Sequence, residues 1–263
     1  PSQRTRLPGL RETIDGPLVT DPEEMAALAK GFWGGIWAPR DSSGCHARGY
    51  LEDYSKRINP FLTPRRLDKN HFIPIINATN NSCAGPDGVP FAVYRAGVGV
   101  YAGIAASIFN WLADGKEAPV GFNYGILFLL PKKGIGVPSD TRPLSVTNAC
   151  NRIIAKGVLS CLAPAMVPFL HESQKGFVPG RKGADHIRAL NELFYGALEG
   201  MGDDSYVLFV DTQKAFDSID HDFLFKVLAR VGVPAWLVRI IKALLTDVMV
   251  TPVFGGSTSV WIS

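Results

Sequence analysis

Cysteine is scarce: the 263 residues hold four, Cys45, Cys83, Cys150 and Cys161. None is spaced C-x-x-C, which leaves no zinc-ribbon or redox-pair pattern. Cys45-His46 supplies half of a finger-type ligand set, and no second half follows at finger spacing. Free buried thiols in a reducing compartment fit this usage, with the nucleus or cytoplasm as the expected location. A strong charge of one sign is also lacking. Lys and Arg number 27 against 24 Asp and Glu, a formal charge of +3 with a pI near 8.7. Such mild basicity permits nucleic-acid binding and does not demand it. Long apolar runs are missing too. The longest, Val98 to Ala113, is too short to span a bilayer and carries Ser107 and Asn110, so a largely buried helix is expected there and no membrane partner. Gly97-Val98-Gly99 has the wrong spacing to Gly103, and no strand before it, for a dinucleotide fingerprint. Internal repeats, low-complexity tracts and a targeting segment are absent. No initiating Met precedes Pro1, so a fragment, a processed product or an incomplete gene reading is expected.

What remains is long enough for one or two domains with a real core. Residues 1–20 hold several Pro and Gly and read as a poorly ordered lead-in. Asp21-Pro22-Glu23-Glu24 opens a helix that runs to about Trp37: an N-cap, Pro at the first helical position, then acids facing the helix dipole. Residues 40–60 mix Arg48, Lys56 and Arg57 with Tyr50 and Tyr54, either a contact for single-stranded nucleic acid or a solvated helix face. Thr63-Pro64 reads as the start of a helix to about Ala78, and Gly85-Pro86-Asp87-Gly88 as a turn. A strand is expected over Tyr124 to Leu130, then a helix with apolar residues at 153, 154, 157, 158, 161 and 162. Ile187, Leu190, Phe194, Ala197 and Leu198 mark another helix. Asp220 caps the next, ending at Gly232, and Pro234 opens the last. Val248-Val250 and Ser259-Ile262 flank Gly255-Gly256 and read as a hairpin.

The stretch that carries chemistry is Tyr206 to Asp217. Five consecutive apolar residues, Tyr206 to Val210, read as a strand buried on both faces, with Asp211 at its end and Asp217 six residues on. A buried carboxylate needs a cation or a donor beside it. A divalent metal at a phosphoryl-transfer site is one answer, and a carboxylate capping a loop is the other.

Asp211 to Asp217 resembles motif A of reverse transcriptases, D-x-x-x-A-F-D, of the non-LTR retrotransposon and group II intron type. Four upstream blocks occur in that family's order. Ala84 to Pro90 resembles A-P-G-x-D-G-I-P, Leu129 to Gly134 resembles I-P-K-K-G, Arg142 to Asn148 resembles R-P-I-S-L-x-N, and Gln174 to Arg181 resembles Q-x-G-F-x-x-G-R. The resemblance covers about residues 64 to 263. It implies an α/β (α+β) chain, helix-rich, with right-hand polymerase fingers and part of a palm whose sheet is mostly antiparallel. The expected division is an N-terminal extension over 1–62, fingers over 63–200 and the first part of the palm over 201–263.

The resemblance also implies site roles. Asp211 is the catalytic carboxylate ligand shared by two ions, Mg²⁺ or Mn²⁺, and the Thr212 carbonyl contributes to one of them. Lys132 or Lys133, with Arg142, lie where the family holds the incoming triphosphate; an ordinary surface cation is the other reading of each, and the preferred one for Lys133. Phe216 occupies the position of the steric gate that excludes a 2′-hydroxyl, plain core packing being the rival reading. Gln174 and Arg181 fall near the template. Asp217 is expected to hydrogen-bond locally and not to bind metal, and Gln213 to be exposed. The partners implied are an RNA template, a DNA primer and a deoxynucleotide; the oligomeric state is left open. The family's aromatic-x-Asp-Asp hairpin is missing. Gly202-Asp203-Asp204-Ser205 lies upstream of Asp211 without a leading apolar strand and reads as a polar turn. The expectation is therefore a truncated, inactive RNA-directed DNA polymerase. The alternatives are a non-catalytic nucleic-acid-binding module of the same origin and a decayed remnant.

Overall fold

The computed structural model describes residues 7–38, 49, 51–52, 64–132, 136–198, 208–254 and 260–263. The element order is α1 (Pro22–Trp37), α2 (Lys69–Asn77), α3 (Phe91–Ala96), α4 (Val98–Ala113), β1 (Tyr124–Pro131), a 3-10 turn (Pro138–Asp140), β2 (Thr141–Thr147), α5 (Ala149–Met166), α6 (Ala184–Leu198), α7 (His221–Arg230), α8 (Ala235–Leu245) and β3 (Met249–Pro252). The mixed α/β composition matches the expected class. The sheet is only partly as expected. Its order is β2-β1-β3, with β1–β2 antiparallel and β1–β3 parallel.

Capping and periodicity explain the helices. Asp21 accepts from the Glu23 and Glu24 amides at 3.0 Å each, Pro22 stands at the first turn, and both acids face the positive end of α1. Asp220 accepts from the Phe223 amide at 2.6 Å to open α7, whose chain leaves through Gly232 at φ 93°. The second helix starts later than Thr63-Pro64 suggests. Residues 64–68 are irregular, and Asp68 sets the start of α2 by a reciprocal capping box with His71. Residues 10 and 19 correct the lead-in expectation: Leu10 is fully buried and forms an antiparallel bridge with Val19.

Two cores result. The larger gathers Phe72, Phe109, Ile153, Ile154, Leu237 and Ile240 from α2, α4, α5 and α8, with Phe109 edge-on to Phe72 at 5.7 Å and to Trp236 at 6.0 Å. Gly157 lets α5 approach α2, since a Cβ there would sit 2.9 Å from Phe72 Cζ. The smaller core packs Met25, Ala29 and Trp33 of α1, with Leu10, on Leu127, Leu129, Val250 and Ile262. Residues of all three expected segments share it. β1 supplies its wall through period-two alternation, burying Gly125, Leu127 and Leu129. The expected C-terminal hairpin takes the form of β3 with an antiparallel bridge from Val250 to Ile262, while Gly255-Gly256 lies outside the described residues.

The expected strand before Asp211 is not formed over its described part. Leu208, Phe209 and Val210 are irregular and 75–85% exposed, and Tyr206 and Val207 lie outside the described residues. A strand needs a ladder, and residues 208–210 pair with no strand among the described residues.

Asn123, beside β1, joins three elements. Its Nδ2 donates to the Ala243 and Thr246 carbonyls at 2.7 Å each, and its Oδ1 accepts from Asn151 Nδ2 at 2.8 Å. Truncation strands the buried Asn151 amide and removes both bonds to the end of α8. Asn123→Ala should therefore cost about 2–4 kcal/mol. Urea unfolding measures this, and a change below about 0.5 kcal/mol, the size of an ordinary surface substitution, would contradict it.

Candidate nucleic-acid and nucleotide site

The blocks singled out in sequence converge in part. Asn148, at the start of α5, accepts from the Asp87 amide at 3.1 Å. A Cβ on Gly85 would lie 2.5 Å from the Asn148 nitrogen, so the Gly85–Gly88 turn meets the end of β2 at a contact only glycine allows. The β1–β2 ladder pairs Leu130 with Arg142, and the Lys132 amide donates to the Asp140 carbonyl at 2.9 Å. Arg142 is thus at the same ladder end as Lys132, and both are exposed. Lys132 Nζ makes a long 3.4 Å contact with the Ser139 carbonyl; Arg142 has no side-chain partner among the described residues. β2 was legible only as a motif. Its Pro143 argues against a strand, yet β2 is an edge of the described sheet, where a missing amide donor is tolerated. Lys133 lies outside the described residues.

Gln174, Phe177 and Arg181 follow α5. Arg181 Nη1 donates to the His171 and Gln174 carbonyls at 2.5 and 2.8 Å, and Nη2 to the Leu170 and Val167 carbonyls at 3.1 and 3.2 Å. The guanidinium fork thereby collects carbonyls left over where α5 ends. Gln174 Nε2 donates to the Gly176 carbonyl at 3.1 Å. Phe177, at φ 58°, is 95% exposed, and its ring stands perpendicular to Phe216 with centroids 5.8 Å apart. Phe216 itself is 76% exposed, which removes plain core packing as its role.

Asp211 and Thr212 are exposed, and neither makes a side-chain hydrogen bond among the described residues; Gln213 is exposed as expected. Asp217 does not bond locally as expected: its Oδ1 accepts from Trp37 Nε1 on α1 at 3.4 Å. Between them, Lys214 adopts φ 52° and places Nζ 3.8 Å from the Trp33 ring centre and 4.5 Å from that of Phe32. Burial depresses the Lys214 pKa, and repulsion from Lys132 adds to this while Asp217 opposes it. The chain of groups Lys132, Lys214, Asp217 and the α1 aromatics is therefore electrostatically connected. Sequence reading missed Lys214, Trp33 and Trp37. The available signals were a cation inside the D-x-x-x-A-F-D run and two Trp four residues apart on one helix face.

Residues 130–260 match the family described as reverse transcriptase (RNA-dependent DNA polymerase). This region belongs to the reverse transcriptase family. A curated relative, the transposon TX1 uncharacterized 149 kDa protein of Xenopus laevis, is 26% identical over 220 residues. The alignment takes in 81% of this chain and 17% of the relative, so the chain spans about one-sixth of that protein. Every site residue from Lys132 to Phe216 lies inside the reverse transcriptase region, whereas α1 precedes it.

The donors fit one arm of a hard-metal site. A free, exposed carboxylate at Asp211 and a backbone carbonyl at Thr212 are the oxygen ligands that Mg²⁺ and Mn²⁺ take. Among the described residues no three His, Cys, Asp or Glu side chains cluster to hold an ion. Cys83, Cys150 and Cys161 are free, and burial raises the Cys150 thiol pKa and pushes that of Cys161 up to about 11, so these two stay protonated and poor as ligands. Among the described residues no helix is long and apolar enough to cross a membrane.

The Arg181 geometry gives a stability test. Arg181→Met removes four charge-assisted hydrogen bonds and should cost about 1–3 kcal/mol. Arg181→Lys should recover only part, because a point charge cannot span four carbonyls. Thermal or urea unfolding reads the loss. Unchanged stability in both variants, with RNA affinity lost, would assign Arg181 to template contact instead.

Proposed function

We propose that the chain is the fingers and motif A part of a reverse transcriptase that copies RNA into DNA by metal-assisted nucleotidyl transfer. The supporting observation is the free, exposed Asp211 carboxylate inside a reverse transcriptase region that also carries exposed Lys132 and Arg142 at one ladder end. In a complete site, Asp211 and the Thr212 carbonyl would ligate Mg²⁺ or Mn²⁺. When bound, such an ion would supply Lewis-acid stabilisation of charge on the reacting phosphoryl group. Lys132 and Arg142 supply cationic charge toward the triphosphate and offset the charge that builds on the departing pyrophosphate. Phe216, edge-on to Phe177, would act as the bulky group that excludes a sugar 2′-hydroxyl, a role supported by its exposure beside Asp211 in sequence. Gln174 contributes toward the template side. A single motif A carboxylate does not hold two ions in reactive geometry, so the chain by itself is inactive. The rival reading is a nucleic-acid-binding module that uses Lys132 and Arg142 and has no need of Asp211.

Two experiments separate these readings. The first fuses this chain to a family C-terminal half that brings its own Asp-Asp hairpin, then follows primer extension on poly(rA)/oligo(dT). The fusion should extend the primer, the unfused chain should not, and Asp211→Asn should abolish extension by the fusion. Phe216→Ala in the fusion should raise the ratio of ribo- to deoxynucleotide use by about tenfold or more. An unchanged ratio removes Phe216 from the nucleotide site.

The second measures fluorescence anisotropy with RNA and an RNA–DNA hybrid at two salt concentrations. Binding should be weak, indifferent to sequence and sensitive to salt. Lys132→Ala with Arg142→Ala should lower the salt slope by about one unit for each phosphate no longer neutralised. Affinity unaffected by the double substitution would refute the assignment of both residues.

A further inference from the structure

Motif A is not held by sheet pairing over residues 208–210, which are exposed and irregular. What does hold the segment comes from α1. Lys214 has turned its backbone into the left-handed region, at φ 52°, which a β-carbon disfavours and which therefore needs compensation. The turn delivers its side chain to α1. Nζ lies over the Trp33 ring at 3.8 Å and the Phe32 ring at 4.5 Å. Those rings are themselves fixed: Trp33 is fully buried, edge-on to Phe32 at 5.3 Å and stacked on Trp37 at 5.5 Å. Neither Lys214 Nζ nor Trp33 Nε1 has a hydrogen-bond partner among the described residues. Both are donors, so the ring faces are what the ammonium has in place of an acceptor. Three residues on, Asp217 Oδ1 accepts a hydrogen bond from the Trp37 indole N–H at 3.4 Å. α1 thus touches the segment at two points on the C-terminal side of Asp211.

We infer that α1 is a clamp for the catalytic-carboxylate segment, with Lys214 as a positioning residue whose cation seated on Phe32 and Trp33 fixes where Asp211 is presented. A helix outside the reverse transcriptase match thereby becomes part of the working site. A lysine serves where a leucine would not. The charge draws it to the electron-rich ring faces, and its long stem reaches them from a loop that stays in water.

The inference rests on the reading of Asp211 as a metal ligand, and its test separates the two. Hydrogen–deuterium exchange of the 263-residue chain follows the amides of residues 212–218 without reference to catalysis. Mn²⁺ binding followed by electron paramagnetic resonance reports on Asp211, with Asp211→Asn as its control. Lys214→Met keeps the apolar stem and removes the cation, and Lys214→Arg keeps the cation. Lys214→Met should speed exchange of the Ser218 amide, which donates to the Lys214 carbonyl at 3.0 Å, by about tenfold while leaving α7 unchanged. It should also weaken Mn²⁺ binding, and Lys214→Arg should restore both. Exchange unaltered by Lys214→Met would overturn the clamp even if Asp211→Asn abolishes Mn²⁺ binding. Mn²⁺ binding unaltered by Asp211→Asn would overturn the ligand role of Asp211 and with it the positioning of a ligand, whatever Lys214→Met does to exchange. Faster exchange that Lys214→Arg fails to restore would reduce Lys214 to ordinary packing and overturn the cation's part.

Discussion

One buried amide sets the frame for everything that touches β1. Asn123 and Asn151 on α5 are both buried, and Asn123 joins Asn151 to the half-buried Ala243 and exposed Thr246 carbonyls at the end of α8. The two buried amides need partners, because an unsatisfied buried polar group costs more than a hydrogen bond gains. The solution ties α5 and α8 to the start of β1. From there the strand runs outward with fixed register to β2 on one side and β3 on the other. The far end of that ladder carries Lys132 and Arg142 into solvent. The position of the cationic pair is thus inherited from the anchoring at the buried end.

The helices were legible where a cap and a stripe agreed. Asp21-Pro22 and Asp220 mark true starts, and the apolar residues of 98–113 and 235–245 mark true faces. Where two signals competed, the stronger chemistry won. Asp68 with His71 makes a reciprocal cap, so α2 starts there and not at Thr63-Pro64. β2 was hidden because Pro143 removes a donor from the ladder, a defect that an edge position tolerates. The apolar run before Asp211 misled for the opposite reason. Composition records what a segment could bury, whereas a strand requires a neighbour with free amides and carbonyls. Motif spacing singled out Asp211, Lys132, Arg142 and Phe216, and all four are exposed. It could not find Lys214's partners, which lie about 180 residues away along the chain and meet it only through the fold.

Exposed apolar surface is distributed unevenly, and that distribution has a physical meaning. Ile187, Leu193, Phe194 and Tyr195 of α6, Phe177 before it, and Leu208, Phe209, Val210 and Phe216 after it are all exposed. Scattered single apolar residues on a surface need no explanation, but a run of them within 40 residues of sequence does. The helix α6 keeps its amphipathic pattern without burying its apolar stripe. This portion of the chain carries hydrophobic free energy that burial against a neighbour would release, roughly 1.5–3 kcal/mol per large side chain. The two cores, by contrast, bury their large side chains, Trp33, Phe72, Phe109 and Leu127 among them.

That contrast explains why the contact with α1 matters to the segment around Asp211. An extended run without ladder bonds loses conformational entropy on ordering and gains little enthalpy, so its fixed points must come from side chains. A salt bridge would be a poor choice there. Asp217 is already turned to Trp37, and a further carboxylate there would set a second like charge beside Asp211. A cation on aromatic faces avoids that conflict, because the rings attract the ammonium and carry no titratable charge. The cost is a desolvated lysine, visible as a depressed pKa, with Lys132 repelling it from the ladder end. Fixing the loop through aromatic rings therefore leaves the free carboxylate and the exposed cations as the charged groups facing solvent. Under the proposed reading of Asp211 as a metal ligand, this is the charge arrangement that a metal-bound triphosphate would need.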